Sequence, residues 1–316
     1  MDGVARSTFH DLDDYLAALR THGELELVAV HTRPAPAALT QIFLPRMSLA
    51  AGDEQFARVA WVRTPVRRVR ITLPAREGAM TLGGLAVRLD EIVIHRAQAS
   101  FHERSAGPCS WRLIDLPGAE LLRYGRAAIG GGFDIPPGAS RWKSRGAALA
   151  RLIGLHDNAM AEATARSEMV DALQAARGLE QEVLDALLGC LDGAPEPIVG
   201  EPARRRVRTM AQFEGLLQTS PEAMPSVSGL CSALAVSERT LEMLCTGHLG
   251  MGPRRYINLR RMQHARWVLR HGDPSTTHVG AVAARFGFRH PGRFATAYRD
   301  QFGEAPSETV GRRPSA

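Results

Sequence analysis

The spacing of apolar residues changes twice along the chain. Between residues 24 and 117 they fall in short runs: ELELVAVHT (24–32), FARVAWVR (56–63), RVRITLPA (68–75), LAVRLDEIVIH (85–95) and CSWRLIDLP (109–117). The runs are rich in Val, Ile and aromatics. Gly, Pro and Asp break them at roughly 8–15 residue intervals, the spacing of an antiparallel sandwich or barrel. A short helix, FHDLDDYLAALR (9–20), is predicted ahead of them. From Arg145 to Asp192 the period becomes helical. Leu149, Leu152, Ile153, His156, Ala159, Met160 and Ala163 recur at three and four, and so do Ala176, Leu179, Val183, Leu184, Leu187, Leu188 and Leu191. Two such striped helices can dock on the β region or pair with a second copy of the chain. The stretch 192–208, DGAPEPIVGEPARRRVR, is broken by Pro and Gly and reads as a linker. Everything after Val207 reads as helix.

Within that last segment a pattern repeats. LCSALAVSERTLEMLC (230–245) aligns with VAARFGFRHPGRFATAY (282–298). Leu230, Leu234 and Val236 match Val282, Phe286 and Phe288; after one inserted residue, Leu241 and Cys245 match Phe294 and Tyr298. Each copy has the form helix, short turn, helix, with a small residue (Cys231, Ala283) where two helices must approach. In a helix-turn-helix the second helix enters the DNA major groove, so it needs one apolar side and one polar or basic side. The first copy buries Leu241 and Leu244 and leaves Arg239, Glu242 and Met243 outward; Ser237 is placed to cap the helix. The second buries Phe294, Tyr298 and Phe302 and leaves Arg293, Thr296 and Arg299 outward. Arg289 and Arg299 suit phosphate contacts. Between the copies, Pro253 starts a helix and Gly272 ends it. Such a rod is roughly 27 Å long. It would set the two heads in successive major grooves, about 34 Å apart. Arg261, on this rod, is expected to pair with an acid inside the domain.

Charge sharpens the picture. The chain of 316 residues carries a formal net charge of +6. From Glu201 onward there are 17 Arg against 9 acidic residues, which leaves the first 200 residues slightly acidic. A basic module on a near-neutral partner suits a polyanion. The four cysteines are scattered with no C-x-x-C pair, which speaks against a zinc site or disulfide framework and fits a reducing cytoplasm. No secretory signal is read at the start, and no apolar run approaches the ~18–20 residues needed to cross a bilayer.

VSERTL, HLGMGPRRYINLRRMQHAR and FGFRHPGRFATAYRDQFGEAPSE resemble the AraC/XylS family of bacterial transcription regulators, over about 100 residues from Val207 to Val310. The resemblance implies base contacts by Arg239, Glu242 and Met243 in the first unit, and by His290, Gly292, Arg293 and Thr296 in the second. Met243 stands where the family commonly has Arg, so the bidentate guanine contact is lost there. The resemblance also implies an amino-terminal cupin-like β domain that binds an effector or mediates dimerisation, and RNA polymerase as a partner.

The expected architecture is a multidomain α+β chain. An antiparallel, cupin-like β-barrel with helices (1–140) is followed by a helical dimerisation segment (141–192), a flexible linker (193–206) and an all-α double helix-turn-helix domain (207–311). The latter has units at 227–246 and 277–302 joined by a helix at 253–271. The DNA-contacting set is Ser237, Arg239, Glu242, Met243, Arg289, His290, Arg293, Thr296 and Arg299. A second basic cluster, Arg63, Arg67, Arg68 and Arg70, includes the R-x-x-x-R spacing of some cyclic-dinucleotide receptors and is the candidate site for an anionic effector. His95, His102 and Glu103 do not have enzymatic cupin spacing, so neither metal nor cofactor is expected. The function read is a cytoplasmic, effector-responsive transcription activator that binds promoter DNA as a homodimer, without catalysis or membrane. The alternatives are an effector-independent DNA-binding dimer and a DNA-repair or metal-dependent cupin enzyme with the same DNA grip.

Overall fold

A computed structural model describes residues 3–20, 23–30, 35–74, 80–144, 146–165, 172–193, 196–197, 201–219 and 222–311. The chain opens with strand β1 (Gly3–Phe9), helix α1 (Leu12–Leu19) and strands β2 (Glu24–Ala29), β3 (Ala37–Phe43), β4 (Ser48–Glu54), β5 (Arg58–Arg63) and β6 (Arg68–Pro74). Next come β7 (Met80–Leu82), β8 (Leu85–Ala86), β9 (Glu91–His95), β10 (Ser100–Ser105) and β11 (Cys109–Pro117). Helix α2 (Gly118–Ala128), β12 (Ala139–Lys143), α3 (Gly146–Ala165), α4 (Ala172–Cys190) and β13 (Glu196–Pro197) complete the front part. The remainder is helical: α5 (Glu201–Thr219), α6 (Val227–Leu234), α7 (Glu238–Leu249), α8 (Pro253–His271), α9 (Val279–Arg285), α10 (Pro291–Phe302) and α11 (Pro306–Thr309).

The strands form two antiparallel sheets. One runs β1-β3-β4-β11-β6-β9-β12-β13 and the other β2-β5-β10-β7-β8. They face each other across a core of Leu27, Leu39, Ala60, Val62, Val93, Phe101, Trp111 and Leu113, closed at one end by Tyr15, Leu16 and Leu19 of α1. The barrel is open rather than a single closed sheet. Alternation along each strand assigns the two faces. In β9, Val93 points into this core while Ile92 and Ile94 point to the opposite face, where they meet α3 and α4. The apolar stripes of α3 and α4, including Leu149, Leu152, Leu184 and Leu187, are therefore covered by the larger sheet of the same chain, with Leu191 just beyond α4. Docking on the β region, one of the two fates open to those stripes in the sequence, is present in the fold.

The second sheet is buried on both faces too. In β5, Ala60 and Val62 point inward, whereas Val59 joins a third core with Met210, Phe213, Leu230, Leu241, Leu244 and Tyr256. The outer face of a β sheet thus docks the helical half. A fourth core, Met262, Ala265, Leu269, Ala283, Phe286, Phe294, Tyr298 and Phe302, belongs to the far end of α8 with α9 and α10.

Several elements differ from the sequence expectation. α5 begins at Glu201, inside the stretch read as linker, because a helix tolerates Pro in its first turn and arginines favour helix. The run 85–95 divides between β8 and β9, which lie in different sheets. β4 is assembled from small and polar residues, SLAAGDE, because Gly52 lies under the Trp111 indole, where a Cβ would strike the ring. Gly125 likewise lets the Phe133 ring lie against α2.

Candidate DNA-binding surface

The first head is α6–α7. Ser226 caps α6 by accepting from the Gly229 amide, and Ala235 ends it in the left-handed region, φ 52°. Ser237 then caps α7, accepting from the Thr240 amide at 3.1 Å. Its hydroxyl is also 2.8 Å from that of Thr240, so Ser237 sets the start of the helix. Leu241, Leu244 and Cys245 are buried, and Arg239, Glu242 and Met243 are exposed. Met243, 62% exposed, is an apolar side chain held out to solvent on a reading helix. It fits a thymine methyl better than a guanine edge. The Glu242 carboxylate lies against Gly252, the residue that precedes α8 without a side-chain cap of its own. A carboxylate there is favoured by the positive end of α8, so Glu242 helps fasten the two helices together.

The second head is α9–α10. Gly287 makes the turn at φ 83°, and Pro291 begins α10. His290 occupies the N-cap without a side-chain capping bond. The aromatic skeleton is a ladder of Phe288, Phe294, Tyr298 and Phe302, with successive ring centroids 4.9, 5.5 and 4.6 Å apart. The Tyr298 hydroxyl, 2.9 Å from that of Thr309, ties α10 to α11. Arg289, His290, Gly292, Arg293, Thr296 and Arg299 are all exposed. The Thr296 hydroxyl donates back to the Gly292 carbonyl at 3.1 Å, which leaves its methyl to meet a partner.

Between the heads, α8 runs unbroken for 19 residues, about 28 Å. Tyr256, Ile257, Met262, Ala265 and Leu269 are buried along it. Arg261 donates to the Met224 carbonyl at 2.8 Å rather than to an acid. The buried charge sits one residue earlier, at Arg260. Its guanidinium is 2.9 Å from Glu214 of α5, which also takes the Tyr256 hydroxyl and lies 2.9 Å from Nε2 of His102 on β10. Burial pushes the Glu214 carboxyl up, but Arg260 and His102 outweigh it and hold the group down to about 2. This network joins the β sheet to the first head. Sequence reasoning could not find it, because Glu214 and His102 are 112 residues apart.

The second basic cluster does not form one exposed patch. Arg63 is exposed and paired with Glu24 at 3.3 Å. Arg67 is exposed in the β5–β6 turn with a left-handed backbone, φ 67°. Arg68 donates to the Asp115 carbonyl at 2.7 Å, and Arg70 is buried 3.5 Å from the Asp115 carboxylate. Strand alternation turns Arg70 into the space between the sheets while Arg63 points outside. His95 stacks on Phe101 at 3.4 Å, and burial followed by Arg70 pushes it well below the ordinary imidazole range. Thus His95 and His102 serve separate environments.

A helix-turn-helix domain model matches residues 230–312. The XylDLEGF operon transcriptional activator 2 of Pseudomonas putida is 32% identical over 113 residues, 36% of this chain and 68% of that protein. The HTH-type transcriptional activator RhaS of Escherichia fergusonii is 39% identical over 83 residues, 26% of this chain and 29% of its own length. The probable thc operon regulatory protein of Rhodococcus erythropolis is 39% identical over 85 residues, 27% and 26% of the two chains. The match thus spans about a quarter to a third of the length of most such relatives. Among solved structures, the AraC-like transcriptional activator CuxR covers 83% of this chain and 95% of its own at 14% identity and a TM-score of 0.42. A probable AraC family regulator from Rhodopseudomonas palustris is 32% identical, covers 34% of this chain and 99% of its own, and has a TM-score of 0.31. With both heads and the connecting rod in place, and two thirds of one relative matched, the chain belongs to the AraC/XylS family of transcription regulators.

Proposed function

We propose that the protein is an effector-responsive transcription activator that grips promoter DNA through two successive major grooves. The observation that carries this reading is the division of labour on α7 and α10. Their apolar sides are buried in separate cores, while Arg239, Met243, Arg289, His290, Arg293, Thr296 and Arg299 stand exposed on helices joined by one rod. Arg293 and Arg239 read bases, and Arg289 and Arg299 hold phosphates. Ser237 and Glu242 support the surface by fixing α7. RNA polymerase is the partner implied by activation. A homodimer remains part of this reading, and any pairing through α3 and α4 would use faces other than those packed on the sheet.

The effector seat that the fold supports best is the space between the sheets. It holds a cavity of about 30 Å³ lined by Leu19, Leu25, Arg58, Arg70, Thr72, Met80, Glu103, Trp111 and Leu113. Nη1 of Arg58 and Oγ1 of Thr72 are buried there without a hydrogen-bond partner. A small organic anion, admitted if the sheets part to widen the cavity, would satisfy both. The exposed pair Arg63 and Arg67 is the alternative anion site, for a ligand such as a cyclic dinucleotide. A second reading, DNA binding with no effector, is favoured by the size of the cavity, which has room for only a water or two. Thermal-shift screening with small organic anions separates the two, because a ligand that binds the folded state raises its melting temperature. Selection of genomic fragments by the purified protein tests the DNA reading. Recovery of no shared sequence would refute it.

A further inference from the structure

The two heads differ in charge. The first unit, 227–246, sets Arg239 against Glu238 and Glu242, a formal −1. The second, 277–302, sets Arg285, Arg289, Arg293 and Arg299 against Asp300, a formal +3. Glu238 is paired with Arg254 at 3.1 Å and Glu242 lies against Gly252, so Arg239 is the one arginine that the first unit offers to DNA. By itself such a unit gains little from the phosphate attraction that dominates DNA affinity.

A further cation stands beside it. The first turns of α5 hold part of the run read as linker, and Arg206 there borders the crevice lined by Met243, Gly247 and His248 of α7. Arg206 is exposed, and among the described residues its side chain makes no hydrogen bond or ion pair. Met210, Phe213 and Leu217 form the buried stripe of α5. Arg206 precedes Met210 by four residues, so it extends that stripe past the end of the core, on the side of α7. Arg208, two residues further on, is turned about 200° around the helix and is also exposed.

This placement meets the groove wall. A helix with its side chains is about 10–12 Å across, and the major groove is about 12 Å wide. A reading helix is therefore flanked closely by the phosphates of both walls. Met243 is on the outward face of α7, and Gly247 follows one turn later along the same flank. A guanidinium beside these two residues lies where a wall phosphate passes, and its planar fork suits two of the phosphate oxygens.

We propose that Arg206 clamps a DNA phosphate at the wall of the groove that α7 enters, so that α5 supplies the cation the first unit lacks. This rests on the DNA-binding reading above. A phosphate carries no base identity, so Arg206 adds affinity and register, while Arg239 and Met243 keep the readout.

The test uses the full-length chain and two DNA fragments, one that it selects and a scrambled one of equal length. Affinity is followed from about 50 to about 200 mM salt. At the low-salt end Arg206→Ala binds both fragments about three- to tenfold more weakly, and its slope of log affinity against log salt is shallower by about 1. Arg206→Lys keeps the charge and the wild-type slope. Arg208→Ala removes the same charge from another side of α5 and stays within about twofold of wild type, because solvent and salt screen a charge held away from the duplex. The melting temperature of Arg206→Ala stays at the wild-type value, since an exposed side chain without a partner is lost. An unchanged slope in Arg206→Ala, no rescue by lysine, an equal effect in Arg208→Ala, or a loss confined to the selected fragment overturns the proposal. A wild-type complex weakened by Arg293→Ala but indifferent to Arg206→Ala sinks this contact alone. A wild-type chain that binds no DNA removes the DNA reading and this contact with it.

Discussion

In the first head both helices begin on a serine that caps them, and the head rests on a β sheet; in the second the corresponding positions are His278 and His290, neither of which makes a side-chain cap. The first head shares its core with Val28 and Val59 of the sheet and its buried charge with His102. The second keeps a core of its own, built from an aromatic ladder and the far end of α8. Their outer faces differ in the same sense. The first presents Arg239 beside an apolar Met243 and a Glu242 turned toward α8, whereas the second presents Arg289, Arg293 and Arg299. A duplicated motif has thus been divided: one copy anchors the helical half to the β half, and the other exposes more arginine.

The largest expected effect strikes the anchor. Glu214→Ala leaves the buried Arg260 with only the longer Glu26 ion pair, at 3.7 Å, and should cost about 3–5 kcal/mol. Denaturant unfolding measures the loss, and hydrogen exchange should quicken in α6 and α7 while α9 and α10 stay protected. Equal exposure of both heads would erase the distinction between them. Acid should act on the same seam. Burial, then His102 and Arg206, push His248 down to about 4. A histidine whose folded value is depressed contributes stability above its unfolded value of about 6.5, and that stability is lost as pH falls. Between pH 7 and pH 4 the loss should approach about 3 kcal/mol. Glu214, also depressed, adds a further loss below about pH 4.5. His248→Leu should remove the first part of this acid sensitivity, read as the melting temperature against pH.

Smaller effects belong to the reading faces. Arg293→Ala should weaken specific binding by about 1–3 kcal/mol and relax preference at one base position. Met243→Ala should cost no more than the low end of that range, because an apolar contact replaces a bidentate one. Fluorescence anisotropy on the selected fragment measures both, and equal losses would contradict the division of labour. Smallest of all, Ser237→Ala should lower stability by about 1 kcal/mol. His290→Ala should leave thermal stability unchanged, since that side chain makes no cap bond.

The helical half was readable because its signals are local. Leu230, Leu241, Cys245, Phe294 and Tyr298, all picked from the repeat, are buried, and α8 spans Pro253 to His271 between its punctuating Pro and Gly. The front half hid more. β10, SFHERS, looks polar because three of its side chains answer to distant partners: His102 to Glu214, Glu103 to Arg58 and Ser105 to the Arg58 amide. β4 looks too small because Trp111 fills the space over Gly52. The seam between the halves was invisible for the same reason. Nothing local in the sequence links Asp11 and Asp14 to Arg266 and Arg270, which folding brings together. Local periodicity reports helices and strands; it carries no record of which charged residue meets which across more than a hundred positions.

The most direct test of two heads on one rod is hydroxyl-radical footprinting of the full chain on its selected fragment. Two protected stretches should appear, separated by about one turn of duplex, roughly 34 Å. Arg239→Ala should expose one stretch and Arg293→Ala the other. A single stretch confined to half a turn, or loss of both stretches together on either substitution, would contradict it.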